Sequence, residues 1–228
     1  MKKILLLIFN PFILFSIHAQ QNNAAVYKDS TAIKFFQRTY GWIASDGGYT
    51  IPLSDGSSLW LFGDSHIDDY DSASGTIPCL FQVRNAAMLQ PHKDWNWQHT
   101  KTLIGNGTGI KSYFKNNPDH KYFSWPGTGI QLKDTIYVYC NNLQNTGTGG
   151  AWGFGSAGND FWGKIKFPEM KVVGYRELQN FNGINFGSGF VQDDENEFVY
   201  AFGQKSESDS IFFSSNLFFA RFSSVNPN

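Results

Sequence analysis

The sequence predicts an all-β fold of the propeller type, and three observations carry that prediction. Aromatic residues make up 17% and charged residues only 16% of the 228-residue chain, with 23 glycines, a profile of many strands joined by turns. A hairpin signature, DGGYTIPLSDGSSLWLFGD, runs from Asp46 to Asp64, with an Asp-Gly turn between the strand-forming runs YTIPL and SLWLF. That hairpin recurs twice in weaker form, and no segment of useful length carries a helical period.

The first residues, MKKILLLIFNPFILFSIHAQQ, combine Lys2 and Lys3 with an apolar run from Ile4 to Ile17 and a small residue, Ala19, before Gln20. This is the pattern of a secretory signal peptide over residues 1–19. Asn10-Pro11 interrupts the run, which falls short of the roughly 20 apolar residues a membrane span needs. Residues 20–228 are therefore expected outside the cytoplasm, secreted or periplasmic, with no membrane association after cleavage. Taking Lys2 and Lys3 from the 18 basic residues leaves 16 against 19 acidic ones, a net charge near -3. With no basic run, nucleic acid is excluded as an expected partner, and abundant aromatics among few charges suit a polysaccharide or oligosaccharide better.

Asp46 lies nine residues before Asp55 and Asp64 nine after it. Antiparallel strands folded there return the two acids to one sheet edge, about 5 Å apart at the backbone. The second hairpin starts at Trp125 with WPGTGIQL, turns at Lys133-Asp134 and continues as TIYVYC. The third starts at Asn185, passes an acidic turn near Asp194-Glu195 and continues as EFVYAFG. Apolar residues alternate after each turn: Leu59 and Leu61; Ile136 and Val138; Phe198, Tyr200 and Phe202. A further strand-like run follows each hairpin, from Asn85 (NAAMLQ), Asp160 (DFWGKIKF) and Leu217 (LFFARF). Strand, strand, loop, strand is most of a propeller blade, which places blade one at about 40–115, blade two at about 120–180 and an incomplete blade three at about 184–228. A closed propeller needs at least about four blades, so the chain is expected to be the N-terminal part of a longer protein.

The mirror relation, applied to all three hairpins, nominates one rim. It contains Asp46 and Asp64 from the first, Trp125 with Asn141 or Asn142 from the second, and Asn185 with Gln204 from the third. Carboxylates act on a glycosidic bond, amides hold hydroxyls and an indole stacks on a sugar ring. Hydrolysis needs two carboxyls about 5 to 5.5 Å apart for retention or about 6.5 to 9.5 Å for inversion. Two facing acids repel, which raises the pKa of one and suits it to proton donation. In the bland alternative, one Asp merely caps the hairpin end through backbone amides. His66, two residues beyond Asp64, shares its side if the strand continues and is a further binding candidate, set against an ordinary surface histidine.

The acids Asp68, Asp69 and Asp71 lack the Gly and terminal Glu of a calcium loop and are expected to be solvated; no metal or cofactor is assigned, a structural calcium staying open. Asp193, Asp194 and Glu195 are expected as solvated turn residues, and Trp95 and Trp97 alternate as an outer strand would. The Gly-rich run from Asn145 lacks the ending of a phosphate loop and is expected as a long connection on the site face, able to act as a lid. The sequon Asn106-Gly107-Thr108 carries little weight, because the signal sequence is bacterial in style. Export allows Cys79 and Cys140 to bridge, and Cys140 fits equally well as a small buried hydrophobe.

The stretch DGGYTIPLSDGSSLWLFGDS resembles the opening blade of secreted bacterial five-bladed propellers long described only as domains of unknown function, some grouped with endo-acting D-arabinan hydrolases. Asn85-Ala86 in a following strand and Trp125-Pro126 before the second blade are similar to pairs in the same family. The resemblance implies a glycoside hydrolase with Asp46 and Asp64 as catalytic candidates. It also departs from the arabinosidase-like propellers, which carry acids on three blades, because the matching positions here are Trp125 and Asn185. No Ser-x-Asp-x-Gly-x-Thr-Trp box is present, which argues against a sialidase. Two functions follow: a glycoside hydrolase acting on a furanose-rich or other polysaccharide, and a non-catalytic propeller that binds glycan or protein.

Overall fold

A computed structural model describes residues 27–105, 112–116, 121–148, 153–193, 195, 197–208 and 213–225. The signal sequence, the sequon, Asp194 and residues 149–152 of the Gly-rich run lie outside the described residues. A short helix, α1 (Ser30–Phe36), opens the described chain, with the Asp29 carboxylate accepting from the backbone N–H groups of Thr31 and Ala32. Every strand pairing after it, among the described residues, is antiparallel. The strands β1 (Trp42–Ser45), β2 (Tyr49–Pro52), β3 (Ser58–Phe62), β4 (Ser65–Ile67), β5 (Ala86–Gln90) and β6 (Lys101–Leu103) come first. Of these, β2-β3-β5-β6 form sheet one, and β1 pairs with β4. Sheet two has β7 (Tyr122–Leu132), β8 (Thr135–Asn145), β10 (Phe161–Lys166) and β11 (Lys171–Glu177) in sequence order, with β9 (Phe154–Ser156) beside the end of β8. Sheet three is β12 (Asn185–Gln192), β13 (Phe198–Ser208) and β14 (Phe213–Ser223).

The all-β class and the three hairpins with their following strands are therefore present. Trp95 and Trp97 correct one expectation. They lie outside any strand, with Trp97 opening a 3-10 turn (Trp97–His99), and the fourth strand of sheet one is β6. Asn96 is the reason, since its side chain caps that turn by accepting from the Gln98 N–H and so diverts the local alternation into a bend. Cys79 is exposed and Cys140 fully buried, and the two are not bridged.

The first hairpin turns through a three-residue loop, Ser54-Asp55-Gly56. The Leu53 and Gly56 N–H groups donate to the carbonyls of Ser57 and Leu53, both at 2.9 Å. Gly56 takes the left-handed conformation, with φ of 84°, that closes such a loop. The Asp55 carboxylate locks it by accepting from the Ser57 N–H at 2.9 Å and the Ser57 hydroxyl at 2.6 Å. One register, mirrored about Asp55, then runs the whole length, from Tyr49 opposite Leu61 to Ser45 opposite Ser65. Between those pairs the Asp46 N–H donates to the Asp64 carbonyl at 2.9 Å, and the Gly63 N–H to the Asp46 carbonyl at 3.0 Å.

Alternation along each strand decides what each sheet face covers. Ile136, Val138 and Cys140 of β8, with Phe161 and Ile165 of β10, pack with Ile51, Leu59, Leu61 and Leu103 of sheet one. The opposite face of sheet two sends Tyr139 and Trp162 into a second cluster with Phe186 and Ala201 of sheet three. Sheet two is thus covered on both faces. A third cluster, Trp42, Phe62, Ala86 and Met88, is closed by Phe35 of α1. Arg38 follows that helix into burial, donating to the Trp97 carbonyl at 2.7 Å, to the Met88 sulfur and to Thr100 Oγ1, with its guanidinium over the Phe35, Trp42 and Trp97 rings. Burial lowers its pKa to about 10.

The first strands of the three sheets lie side by side, β7 having β2 on one side and β12 on the other. Glycine makes that approach possible. A Cβ on Gly127 would stand 2.7 Å from the Gly187 carbonyl oxygen of β12, and one on Gly129 would stand 2.9 Å from Ile51 Cδ1 of β2. Gly127→Ala is expected to lower stability by about 1–3 kcal/mol through overpacking. Gly174→Ala, where an added Cβ meets nothing within 4 Å, should change it by less than about 0.5 kcal/mol. Urea unfolding midpoints of the two variants provide the check.

Candidate functional site

Asp64 sits where the first hairpin passes from β3 to β4, and its residue surface is only 4% exposed. Its Oδ1 accepts from Trp125 Nε1 at 3.1 Å, and its Oδ2 from Arg84 Nη1 at 3.3 Å. The Arg84 guanidinium is itself buried, lying 4.3 Å from the centre of the Phe123 ring and 4.9 Å from that of Phe81. Gly63 leaves room for this arrangement, since a Cβ there would stand 3.2 Å from the Asp46 carbonyl oxygen and 3.6 Å from Trp125 Cδ1. Burial raises the Asp64 pKa to about 6. The bond from Trp125 and the charge of Arg84 pull it back, and the charge of Asp46 adds to the rise. Asp46 is exposed. The hairpin therefore joins two acids of unlike environment, one buried and fixed by two donors and the other facing solvent.

The fold prefers the protonated form of Asp64. Its contribution to stability is fully present below its ordinary value of 3.8 and is lost as pH rises through about 6.

From Asp64 a row of polar side chains crosses all three sheets. Trp125 stands opposite Asn141 in the β7–β8 ladder, and Asn141 Nδ2 donates to the Trp125 carbonyl at 3.3 Å. Asn185 Nδ2 donates in turn to Asn141 Oδ1, and Asn185 stands opposite Gln204. A cleft of about 410 Å³ follows this row, lined by Tyr49, Asn141, Asn185, Ser188, Gln204 and Ser206. The sequence-predicted residues Asp46, Asp64, Trp125, Asn141, Asn185 and Gln204 are thus neighbours in one line.

Asn142 and His66 fall elsewhere. Asn142, on the other face of β8 from Asn141, donates from Nδ2 to the Asn159 carbonyl at 3.1 Å and lines the next cleft. His66 shares a 2.7 Å bond between its Nδ1 and Asp69 Oδ2, which turns the ring toward the acidic loop. The other acids of that loop also have local partners: Asp68 accepts from the Gly41 N–H, and Asp71 from the Ala73 N–H and the Ser74 hydroxyl. Among the described residues no group of three or more His, Cys, Asp or Glu side chains is placed to hold a metal ion. Asp193 accepts from the Glu197 and Phe198 N–H groups and closes its turn.

Four contributors escape a reading of the sequence. Arg84 reaches Asp64 from a loop and is marked only by standing next to Asn85. Asn85 is fully buried and bridges the two sheets, its Nδ2 donating to the Ser124 carbonyl at 2.8 Å and its Oδ1 accepting from the Phe114 N–H at 2.7 Å. Asp160 and Tyr139 form a second polar centre, the Tyr139 hydroxyl donating to Asp160 Oδ2 at 2.6 Å.

Successive antiparallel sheets bearing an acid pair and an amide row at one edge define an all-β protein with a polar rim. The chain belongs to the family described as "Domain of unknown function (DUF5005)", whose model matches residues 29–226. Among solved structures it is similar to one described as a "putative hydrolase" from Bacteroides ovatus. The two are 16% identical with a TM-score of 0.62, over 88% of this chain and 60% of that one, a likeness of fold. The chain spans 60% of the length of that protein. No curated protein matches the chain.

The Asp64–Trp125 bond gives the carboxyl an optical reporter. Tryptophan emission is expected to titrate with a midpoint near pH 6, and this transition should vanish in Trp125→Phe and in Asp64→Asn. Arg84→Met should move the midpoint upward, because the cation that favours the carboxylate is gone. A midpoint near 4 in the wild type would mean that Asp64 is solvated.

Proposed function

We propose that this chain is the N-terminal part of a secreted or periplasmic glycoside hydrolase with a five-bladed propeller fold, acting on a polysaccharide of arabinan type. Sheets one to three are its first three blades, their first strands running side by side toward a common axis. The observation that carries the reading is Asp64, a carboxyl held in protonated form up to about pH 6 and backbone-bonded to a second, exposed acid, Asp46.

A buried acid that keeps its proton up to about pH 6 can protonate the leaving oxygen of a glycosidic bond. Asp46, in solvent, takes the complementary part of base or nucleophile. Trp125, Asn141, Asn185 and Gln204 offer ring surface and amides to the sugar beside the pair. The "putative hydrolase" description of the similar structure agrees with hydrolysis as the class of reaction. A second reading, a non-catalytic propeller that binds glycan or protein, draws on the same geometry, since both Asp64 oxygens already accept from the protein and so also suit a structural ion pair.

The two readings separate by experiment. Asp46→Asn and Asp64→Asn, made in the full-length protein, should each reduce the release of reducing ends from a polysaccharide panel by about 10²-fold or more. Wild-type rates in both variants would remove the pair from the chemistry. As Asp64 loses its proton, kcat/KM should fall about tenfold per pH unit above about 6. A rate that instead climbs steadily from pH 6 to 8 would exclude Asp64 as the acid.

A further inference from the structure

We infer that the cleft between sheets two and three is a second binding site, built for a neutral, hydroxyl-rich sugar and centred on Asp160. The inference rests on the glycoside hydrolase reading only in taking that sugar to be part of the substrate. The cleft encloses about 300 Å³ between the end of β8, the turn before β10 and the segment that leads into β12.

Asp160 is half-buried and fixed from two directions. The Tyr139 hydroxyl donates to Oδ2 at 2.6 Å and the Asn142 N–H to Oδ1 at 2.9 Å. Burial first, and then the bond to Asp160, push the Tyr139 phenol up, so it remains a donor. A carboxylate oxygen accepts about two hydrogen bonds, so each oxygen keeps one acceptor position. Two such positions side by side match a pair of adjacent sugar hydroxyls.

The surrounding amides complete the match. Asn142 and Asn159 spend their Nδ2 groups on the Asn159 carbonyl and on Glu177, which leaves their oxygens as acceptors. Asn180 uses its oxygen to accept from the Asn182 N–H, which leaves its NH₂ group as a donor, and the exposed Gln179 offers both. Hydroxyls donate and accept, and a mixed lining of this kind serves them better than a lining of one sign. Phe181 adds apolar ring surface.

The charge pattern decides the class of sugar. Among the described residues Asp160 is the one charged residue of the lining, with no Lys or Arg in it, and a carboxylate so placed repels uronate, sulfate and phosphate groups. Lys205 comes only to the margin, its Cε 3.7 Å from where a Cβ on Gly183 would stand. The cleft shares Asn141, Gly183 and Asn185 with the cleft of the amide row, and Asn141 is one residue, Trp125, removed from Asp64. A chain of sugars seated at Asp160 is therefore led along the amide row toward the acid pair.

Affinity gel electrophoresis in an Asp64→Asn background tests this, with debranched arabinan, galactan, xylan and dextran as neutral probes and polygalacturonate as the acidic one. At least one neutral probe should retard the protein and polygalacturonate should not. Asp160→Asn and Gln179→Ala should each weaken that retardation, the former by about tenfold. Gln179 is exposed, so its variant keeps the test valid should Asp160→Asn misfold. No retardation by any neutral probe, equal retardation by polygalacturonate, or retardation unchanged by Gln179→Ala and by a folded Asp160→Asn would each overturn the inference. Failure of the hydrolase reading has a different signature: the wild-type protein would release no reducing ends while Asp160-dependent retardation persisted.

Discussion

The structure depends on how closely the first strands of its three sheets approach one another. At Gly127 and Gly187 the backbones of β7 and β12 come together with no side chain between them, and at Gly129 a Cβ would meet the Tyr137 carbonyl oxygen of β8 and, at 2.9 Å, Ile51 Cδ1 of β2. Sheets that meet this tightly bring the ends of their inner hairpins into one line. The rim residues are neighbours for that reason: Trp125 reaches back to Asp64 in sheet one, and Asn141 reaches forward to Asn185 in sheet three. With larger residues at the crossing, the same side chains would stand on separate edges.

Within that frame, the cost of burying Asp64 is met by groups from two sheets. A lone buried carboxylate is strongly unfavourable, and here an indole N–H and a guanidinium share the task without removing it, so the proton is held to about pH 6. Arg84 faces the same difficulty and meets it by lying against the rings of Phe81 and Phe123. Asn85 fastens the next residue of the chain to both the Phe114 and Ser124 backbones, which holds Arg84 at a fixed height beneath the rim. The acid, the cation and the clamp form one unit, and replacing any of them alters the other two.

The parts of this that the sequence made legible share one property, namely that short-range chemistry determines them. The turn at Asp55-Gly56, the alternation after each turn and the mirrored placement of Asp46 and Asp64 follow from local backbone preference and a period of two. The mirror relation also carried over to Trp125 opposite Asn141 and Asn185 opposite Gln204, because a hairpin register extends from its turn. The parts that stayed hidden depend on distant packing. The strands β1, β4, β6 and β9 have three or four residues each, too few for a period to show. Helix α1 is marked chiefly by its Asp29 cap, and its apolar residues become meaningful only against Trp42 and Trp60. Arg84 and Asp160 come from loop positions whose neighbours in sequence say nothing of their neighbours in space.

The surroundings of Asp64 also bear on the order in which the chain assembles. Sheet one contains the hairpin with both acids, and its contacts are local enough to form early. Trp125 and Phe123, however, belong to β7, so the indole donor and one face of the Arg84 sandwich arrive only when sheet two docks. Because sheet two supplies the Trp125 donor and one ring against Arg84, the raised proton affinity of Asp64 is tied to the contact between the two sheets, and the protonation state of this single group is a gauge of that interface.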